Sequence, residues 1–151
     1  MLARVVSATG ELVALHRTYL TWEGQKAPVP KVKKFTKAVF DGATTGGAIR
    51  LFEADRVLGV AEGIETALAC HLATGLPVWA AGNRVLLEKV VVPSTVREVV
   101  VFGDNDVSGD GQRSAQKLAR RLAAEGKRVK VLIPDVAGTD WADDFVGVSH
   151  G

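Results

Sequence analysis

Cysteine is nearly missing from this chain. The single one, Cys70, excludes an internal disulfide and any cysteine-rich zinc site. Its apolar neighbours predict a small packed side chain rather than a nucleophile. Long apolar runs are missing too. None approaches the roughly 18 residues of a membrane span, and the N-terminus lacks the apolar stretch of a signal peptide. A soluble, cytoplasmic protein is the expectation. There is no CxxC pair, no GxxxxGK[ST] phosphate loop, no internal repeat and no low-complexity tract. What remains, 151 residues of which 47% are hydrophobic, suffices for one core and is too little for two ordinary domains. One compact domain with a small appendage is expected.

The formal net charge of +2 hides an uneven split. Residues 1–40 carry Arg4, Arg17, Lys26, Lys31, Lys33, Lys34 and Lys37 against Glu11 and Glu23, a net +5. The remainder carries twelve basic against fifteen acidic residues, a net −3. A solvated basic face explains such a split as well as a function does. A protein that grips a polyanion with one part and holds cations with the other would also show it.

From about residue 57 short apolar runs alternate with helical patterns. Val57–Ala61 reads as a strand. Ile64, Ala67, Leu68, His71 and Leu72 then recur at helical spacing as far as Gly75, a natural stop. Leu76–Ala81 reads as a second strand, Val85–Val92 as a short helix or turn, and Glu98–Phe102 as a fully buried strand. Ala115, Leu118, Ala119, Leu122 and Ala123 mark one face of a helix that Asp110 would cap and Gly126 would end. Arg128–Ile133 gives a last strand. The pattern predicts an α/β fold, a parallel four-stranded sheet flanked by helices, over residues 55–151. Residues 1–54 read instead as a basic antiparallel β appendage: a hairpin of Val5–Ala8 and Leu12–Leu20, a lysine cluster, and a final strand at 46–51.

In an open parallel sheet, ligands bind beyond the carboxyl ends of the strands. Acidic residues fall at three such ends. Glu62 follows the first strand, Asp104 and Asp106 follow the buried one, and Asp140, Asp143 and Asp144 lie beyond the last. Clustered carboxylates repel one another, so such a group is stable mainly with cations in it, and Mg²⁺ suits a few carboxylates plus water and phosphate oxygens. Taken alone, Asp-x-Asp in a glycine-rich loop is an ordinary turn. A calcium loop is excluded, because its twelfth position would be Ala115 or Lys117 in place of the bidentate glutamate. Glu65, in the first turn of its helix, suits the macrodipole as well as it suits chemistry. His71 falls on the apolar helix face and reads as packed. His16, beside Arg17, reads as packing or as nucleic-acid contact.

The runs V-A-E-G-I-E-T-A-L, V-F-G-D-N-D-V-S-G-D-G and G-T-D-W-A-D-D-F resemble the Toprim domain shared by DnaG-type primases, topoisomerases, recombination mediators and OLD-type nucleases. With Leu15–Leu20 (LHRTYL), Gln25-Lys26-Ala27 and Gly46–Leu51 (GGAIRL) in front, the chain is most similar to primases of plasmids, phages and integrative elements. The resemblance implies a catalytic Glu62 acting as general acid/base. It implies a metal pair at Asp104 and Asp106, and a third acidic motif at Asp140 with Asp143 or Asp144. Glu65 and Asp110 would support these. Two Mg²⁺ (or Mn²⁺) ions are implied, with single-stranded DNA and nucleoside triphosphates as partners and zinc-binding and helicase modules beside the core. Arg17, Lys34, Lys37 and Arg50 would then touch nucleotide or template backbone. One departure stands out: cellular primases often carry an aspartate four positions after the glutamate, where this chain has Thr66.

The function so implied is metal-dependent synthesis of RNA primers. The alternatives are a Toprim nuclease and a non-catalytic nucleic-acid-binding module. A topoisomerase is disfavoured because the only tyrosine, Tyr19, lies in the appendage. A phosphatase of the haloacid-dehalogenase type is disfavoured because a whole strand–helix unit precedes the Asp-x-Asp.

Overall fold

The computed structural model describes residues 1–143. It contains a three-stranded antiparallel sheet, β1 (Leu2–Val6), β2 (Leu12–Thr18) and β3 (Lys33–Phe35), followed by a four-stranded parallel sheet. The latter is built from β4 (Val57–Ala61), β5 (Val78–Ala80), β6 (Glu98–Phe102) and β7 (Arg128–Leu132), in the order β5-β4-β6-β7. Helices α1 (Ile64–Thr74), α2 (Arg84–Leu87) and α3 (Asp110–Ala124) fill the crossovers. The parallel sheet and its flanking helices are those expected.

Strands β4 and β6 sit centrally and are buried along almost their whole length, which is why VLGVA and EVVVF lack an alternating polar pattern. Their side chains split between two cores. Leu58, Val60, Val99 and Val101 pack under α3 with Leu118 and Leu122. Ala61, Val100 and Phe102 face α1 with Ile64, Ala67 and Cys70. The phase of α1 differs from expectation. Its buried stripe is Ile64, Ala67 and Cys70, while Leu68 and Leu72 are 41% and 85% exposed. Polar and apolar residues are interleaved around this helix, with Thr66 buried, so it carries too little contrast to set its own rotation. In α3 the contrast is strong, and the buried face includes Ala115, Leu118, Ala119 and Leu122 as read, with Ala123 exposed.

The first fifty residues form the expected antiparallel appendage, and it is packed into the core. Val5, Val13, Ala14, Ala43 and Ile49 belong to the same core as α1 and the far face of the parallel sheet. The strand expected at 46–51 resolves into two single bridges: Ala48 exchanges backbone bonds of 2.9 and 3.0 Å with Val6, and Ile49 exchanges bonds of 2.7 and 3.1 Å with Ala80. Each sheet captures one residue, so neither pairing grows into a strand. The lysine cluster hides β3, whose Lys33, Lys34 and Phe35 pair with Thr18, Arg17 and His16.

Candidate active site

Chain direction creates the site. From β4 the chain moves through α1 to one side of the sheet, and from β6 through α3 to the other, so the carboxyl ends of β4 and β6 border a topological switch point. Ala61 pairs with Phe102, so Glu62 and Asp104 leave neighbouring strands almost level. Together with Asp106 they line a cleft of about 620 Å³ whose other wall includes Phe35, Thr36, Asn83 and Arg84. Glu62 and Asp104 also border a smaller hollow of about 260 Å³ with Lys26, Lys33, Glu65, Asp140 and Asp143. Sites expected on three separate loops thus meet; Asp144 lies outside the described residues.

The carboxylates differ in their surroundings. Asp104 has a buried Oδ1 with no hydrogen-bond partner. Burial, then the charges of Glu62, Asp140 and Asp106, push its carboxyl up to about 7, against the opposing field of Lys33. Glu62 is raised as well, by burial first; the Arg84 charge, Lys33 and the Arg84 backbone amide oppose this, while Asp106 adds to it. Asp106 is the reverse case. Its Oδ1 accepts from the Ser108 hydroxyl (2.8 Å) and Asp110 N–H (2.9 Å), its Oδ2 from Gly111 N–H (2.7 Å), and these bonds, led by Ser108, hold it below the usual aspartate value.

Asp106, rather than Asp110, therefore satisfies the first free N–H groups of α3. Gly109 supplies the left-handed residue at the helix start (φ 73°). Gly111 must remain glycine, since a Cβ there would lie 2.7 Å from the Asp104 carbonyl oxygen. Asp110 instead shares its oxygens between Arg84 and Arg113, and Arg113 foremost, then Ser108 and Arg84, hold its carboxyl below the usual aspartate value.

Asp140 and Asp143 form a reciprocal cap. Asp140 Oδ1 accepts from Ala142 and Asp143 N–H at 2.8 and 3.0 Å, and Asp143 Oδ2 accepts from Asp140 N–H at 3.1 Å. Asn105 ties this loop to the Asp104 loop, donating to the Pro134 carbonyl at 2.7 Å and pairing its backbone with Thr139. Burial, the largest influence, would raise Glu65, yet its 2.9 Å bond to Lys33, its own backbone N–H and the charges of Lys33 and Lys26 together hold it below the ordinary glutamate value.

Among the described residues, no three acidic or histidine side chains converge on a single closed coordination sphere. The donor set nonetheless fits a hard divalent cation of the Mg²⁺ or Mn²⁺ kind. Such ions take one or two carboxylates and keep water and phosphate oxygens for the rest. The unpartnered Asp104 oxygen and the raised carboxyls around it mark where added positive charge relieves the largest electrostatic cost.

The basic residues divide. Lys34 lies with Lys31, Lys33 and His16 in a groove of about 670 Å³ that shares Phe35 and Asn83 with the main cleft. Arg17 is half-buried in β2, and Lys37 is exposed. Arg50 serves the fold: it stacks 4.5 Å over Trp79 and donates to the carbonyls of Ser7 and Ala8. His16 is buried, edge-on to Phe35 at 5.1 Å, and burial, then Lys33, lower its pKa. His71 stacks on Phe52 and bonds the Leu76 carbonyl. Cys70 is a core residue with its thiol pushed up to about 12 by burial, then by Asp104 and Asp140. Lys33 and Arg84, the cations nearest the carboxylates, were not singled out from the sequence. For Arg84 the signal was its place beyond the carboxyl end of β5, where the strand-end rule applies to bases as well as acids.

A family profile described as a Toprim domain matches residues 57–150. The chain belongs to the Toprim family. Residues 1–50 match a domain of unknown function, DUF7146. Among solved structures, the chain is similar to the E. coli primase catalytic core (16% identity, TM-score 0.59, 99% of this chain and 48% of that one). It is also similar to the Aquifex aeolicus primase with its zinc-binding and RNA polymerase domains (14%, 0.64, 97% and 36%). A third is the RNA polymerase domain of Mycobacterium tuberculosis DnaG bound to double-stranded DNA (16%, 0.56, 94% and 47%). The Toprim chain thus spans less than half the length of each, and at these identities the likeness is one of fold, covering both sheets. Among the described residues no helix is long and apolar enough to cross a membrane.

Proposed function

We propose that this chain is the nucleotidyl-transfer core of a DNA primase of the mobile-element kind. Residues 55–151 carry the chemistry and residues 1–54 hold the polyanion, in a longer cytoplasmic protein with zinc-binding and helicase modules. The observation that carries this reading is the meeting of Glu62, Asp104 and Asp106 in one cleft that adjoins a lysine-lined groove. Glu62, raised by burial above the ordinary glutamate value, suits proton exchange with a 3′-hydroxyl. Asp104 and Asp106 would hold one divalent cation, and Asp140 with Asp143 a second; when bound, such cations would supply positive charge to the attacking oxygen and to the leaving pyrophosphate. Asn105 and the Asp140–Asp143 cap keep the two acidic loops in place. Lys33 and Lys34 would draw in nucleotide triphosphate or single-stranded template without reading sequence.

The test uses the full-length natural protein with Mg²⁺ or Mn²⁺, ribonucleotides and single-stranded DNA. Short primers that disappear in Glu62→Gln support the proposal. Failure to make primers, or undiminished synthesis by Glu62→Gln, overturns it. Cation-dependent cutting of DNA without added nucleotides would select the nuclease reading instead.

A further inference from the structure

Arg84 takes no part in the proton and cation chemistry assigned to Glu62 and the aspartates, yet it stands among them. Backbone bonds from Ala81 and Gly82 to the carbonyls of Ala61 and Glu62 (2.9 and 2.8 Å) lash the chain before it to the end of β4. Asn83 accepts the Leu86 N–H at 2.9 Å and so fixes the turn from which Arg84 projects. The side chain is 47% exposed and lines the main cleft opposite three carboxylates. A phosphate entering that cleft meets negative charge on every acidic side chain, and Arg84 is the guanidinium in the wall.

We propose that Arg84 is a substrate-binding residue: it exchanges its Asp110 partner for phosphate oxygens when a phosphate-bearing ligand enters the cleft. Asp110 is built for that exchange, because Arg84 holds one of its oxygens and Arg113 the other, so it stays paired when Arg84 departs. An exposed ion pair of this kind is weak, because water screens it. A guanidinium–phosphate contact is charge-assisted and bidentate, and therefore stronger. The phosphate belongs either to a nucleoside triphosphate or to a nucleic-acid strand.

The inference rests on the phosphoryl-transfer reading of the cleft, so its test needs no turnover. Binding of a non-hydrolysable nucleoside triphosphate, and separately of a short single-stranded oligonucleotide, is measured with Mg²⁺ on the full-length protein. Arg84→Ala should weaken one of the two at least tenfold, and which one names the source of the phosphate. Arg84→Lys should recover part of the loss. Asp110→Asn, which frees Arg84, should bind that ligand at least as tightly as the parent. Unchanged thermal unfolding of all three variants shows that folding is not the cause. If Arg84→Ala binds both ligands within twofold of the parent, or Asp110→Asn loses as much as Arg84→Ala, the inference is wrong while the proposed function stands. If the parent itself shows no Mg²⁺-dependent binding of either ligand, both fall.

Discussion

The two halves of this protein share one core and divide the electrostatics. The front fifty-odd residues are basic, and β3 places Lys33 and Lys34 along one wall of a groove. The rear half is acidic, and its two central strands deliver Glu62 and Asp104 to one crevice. Lys33 on β3 lies near enough to offset Asp104 and Glu62 yet is paired directly only with Glu65. Surroundings, not sequence proximity, set these carboxyls apart. Asp104 and Asp106 are two residues apart, and one is pushed up to about 7 while the other is held below its usual value.

Substitutions in each half can break or sharpen that division. The largest effect is expected from Glu62→Gln, which should cut primer synthesis about 10³-fold with oligonucleotide binding retained; a variant that lost binding and kept its turnover rate would reverse the assignment of the halves. Ile49→Ala comes next. Its side chain is 2% exposed within the core common to both halves, so the change should cost about 2–4 kcal/mol and leave a single unfolding transition. Two separate transitions in denaturant would mean that the front half folds independently of the rear.

Asp104→Asn probes the acidic side alone. Because the folded-state pKa of Asp104 lies above the unfolded 3.8, the native state binds the extra proton, and the stability of the cation-free parent should fall as pH rises from about 4 to 7. The variant should flatten that slope and be more stable than the parent at pH 8 by about 1–2 kcal/mol, allowing for solvent screening. Added Mg²⁺ should raise the melting temperature of the parent and not of the variant. On the basic side, Lys33→Ala with Lys34→Ala should lower the salt slope of single-strand binding by about 1.4, at roughly 0.7 per lost phosphate contact. Smallest of all, the buried Cys70 thiol should stay unreactive toward a thiol reagent until the protein unfolds.

Much of the rear half was legible because its elements state their period clearly. VLGVA and EVVVF are too short and too β-branched to be anything but buried strands, and α3 carries its polar and apolar residues on opposite faces. The place of α1 is legible and its rotation is not, since its polar and apolar residues are interleaved and leave no clear stripe. The front half was less legible. Its third strand is written in lysines, and the segment around Ala48 and Ile49 takes its conformation from two partners far away in sequence. The acidic residues were found because they follow strands. Which aspartate is hydrogen-bonded and which is left bare depends on how the Asp104 loop folds onto the start of α3, and no spacing rule encodes that.

The bridge between Ile49 and Ala80 also bears on self-association. A parallel sheet has two open flanks, each a row of unpaired backbone groups that invites another chain to zip on. At β7 this is countered by Arg128 and Lys130, which stand off the strand and are held by Glu98. At β5, whose three residues are all buried, no charge does that work, and the Ile49 crossing caps the row instead. A polypeptide starting at residue 55 would therefore lose its guard on one side only, and its copies should adhere through β5.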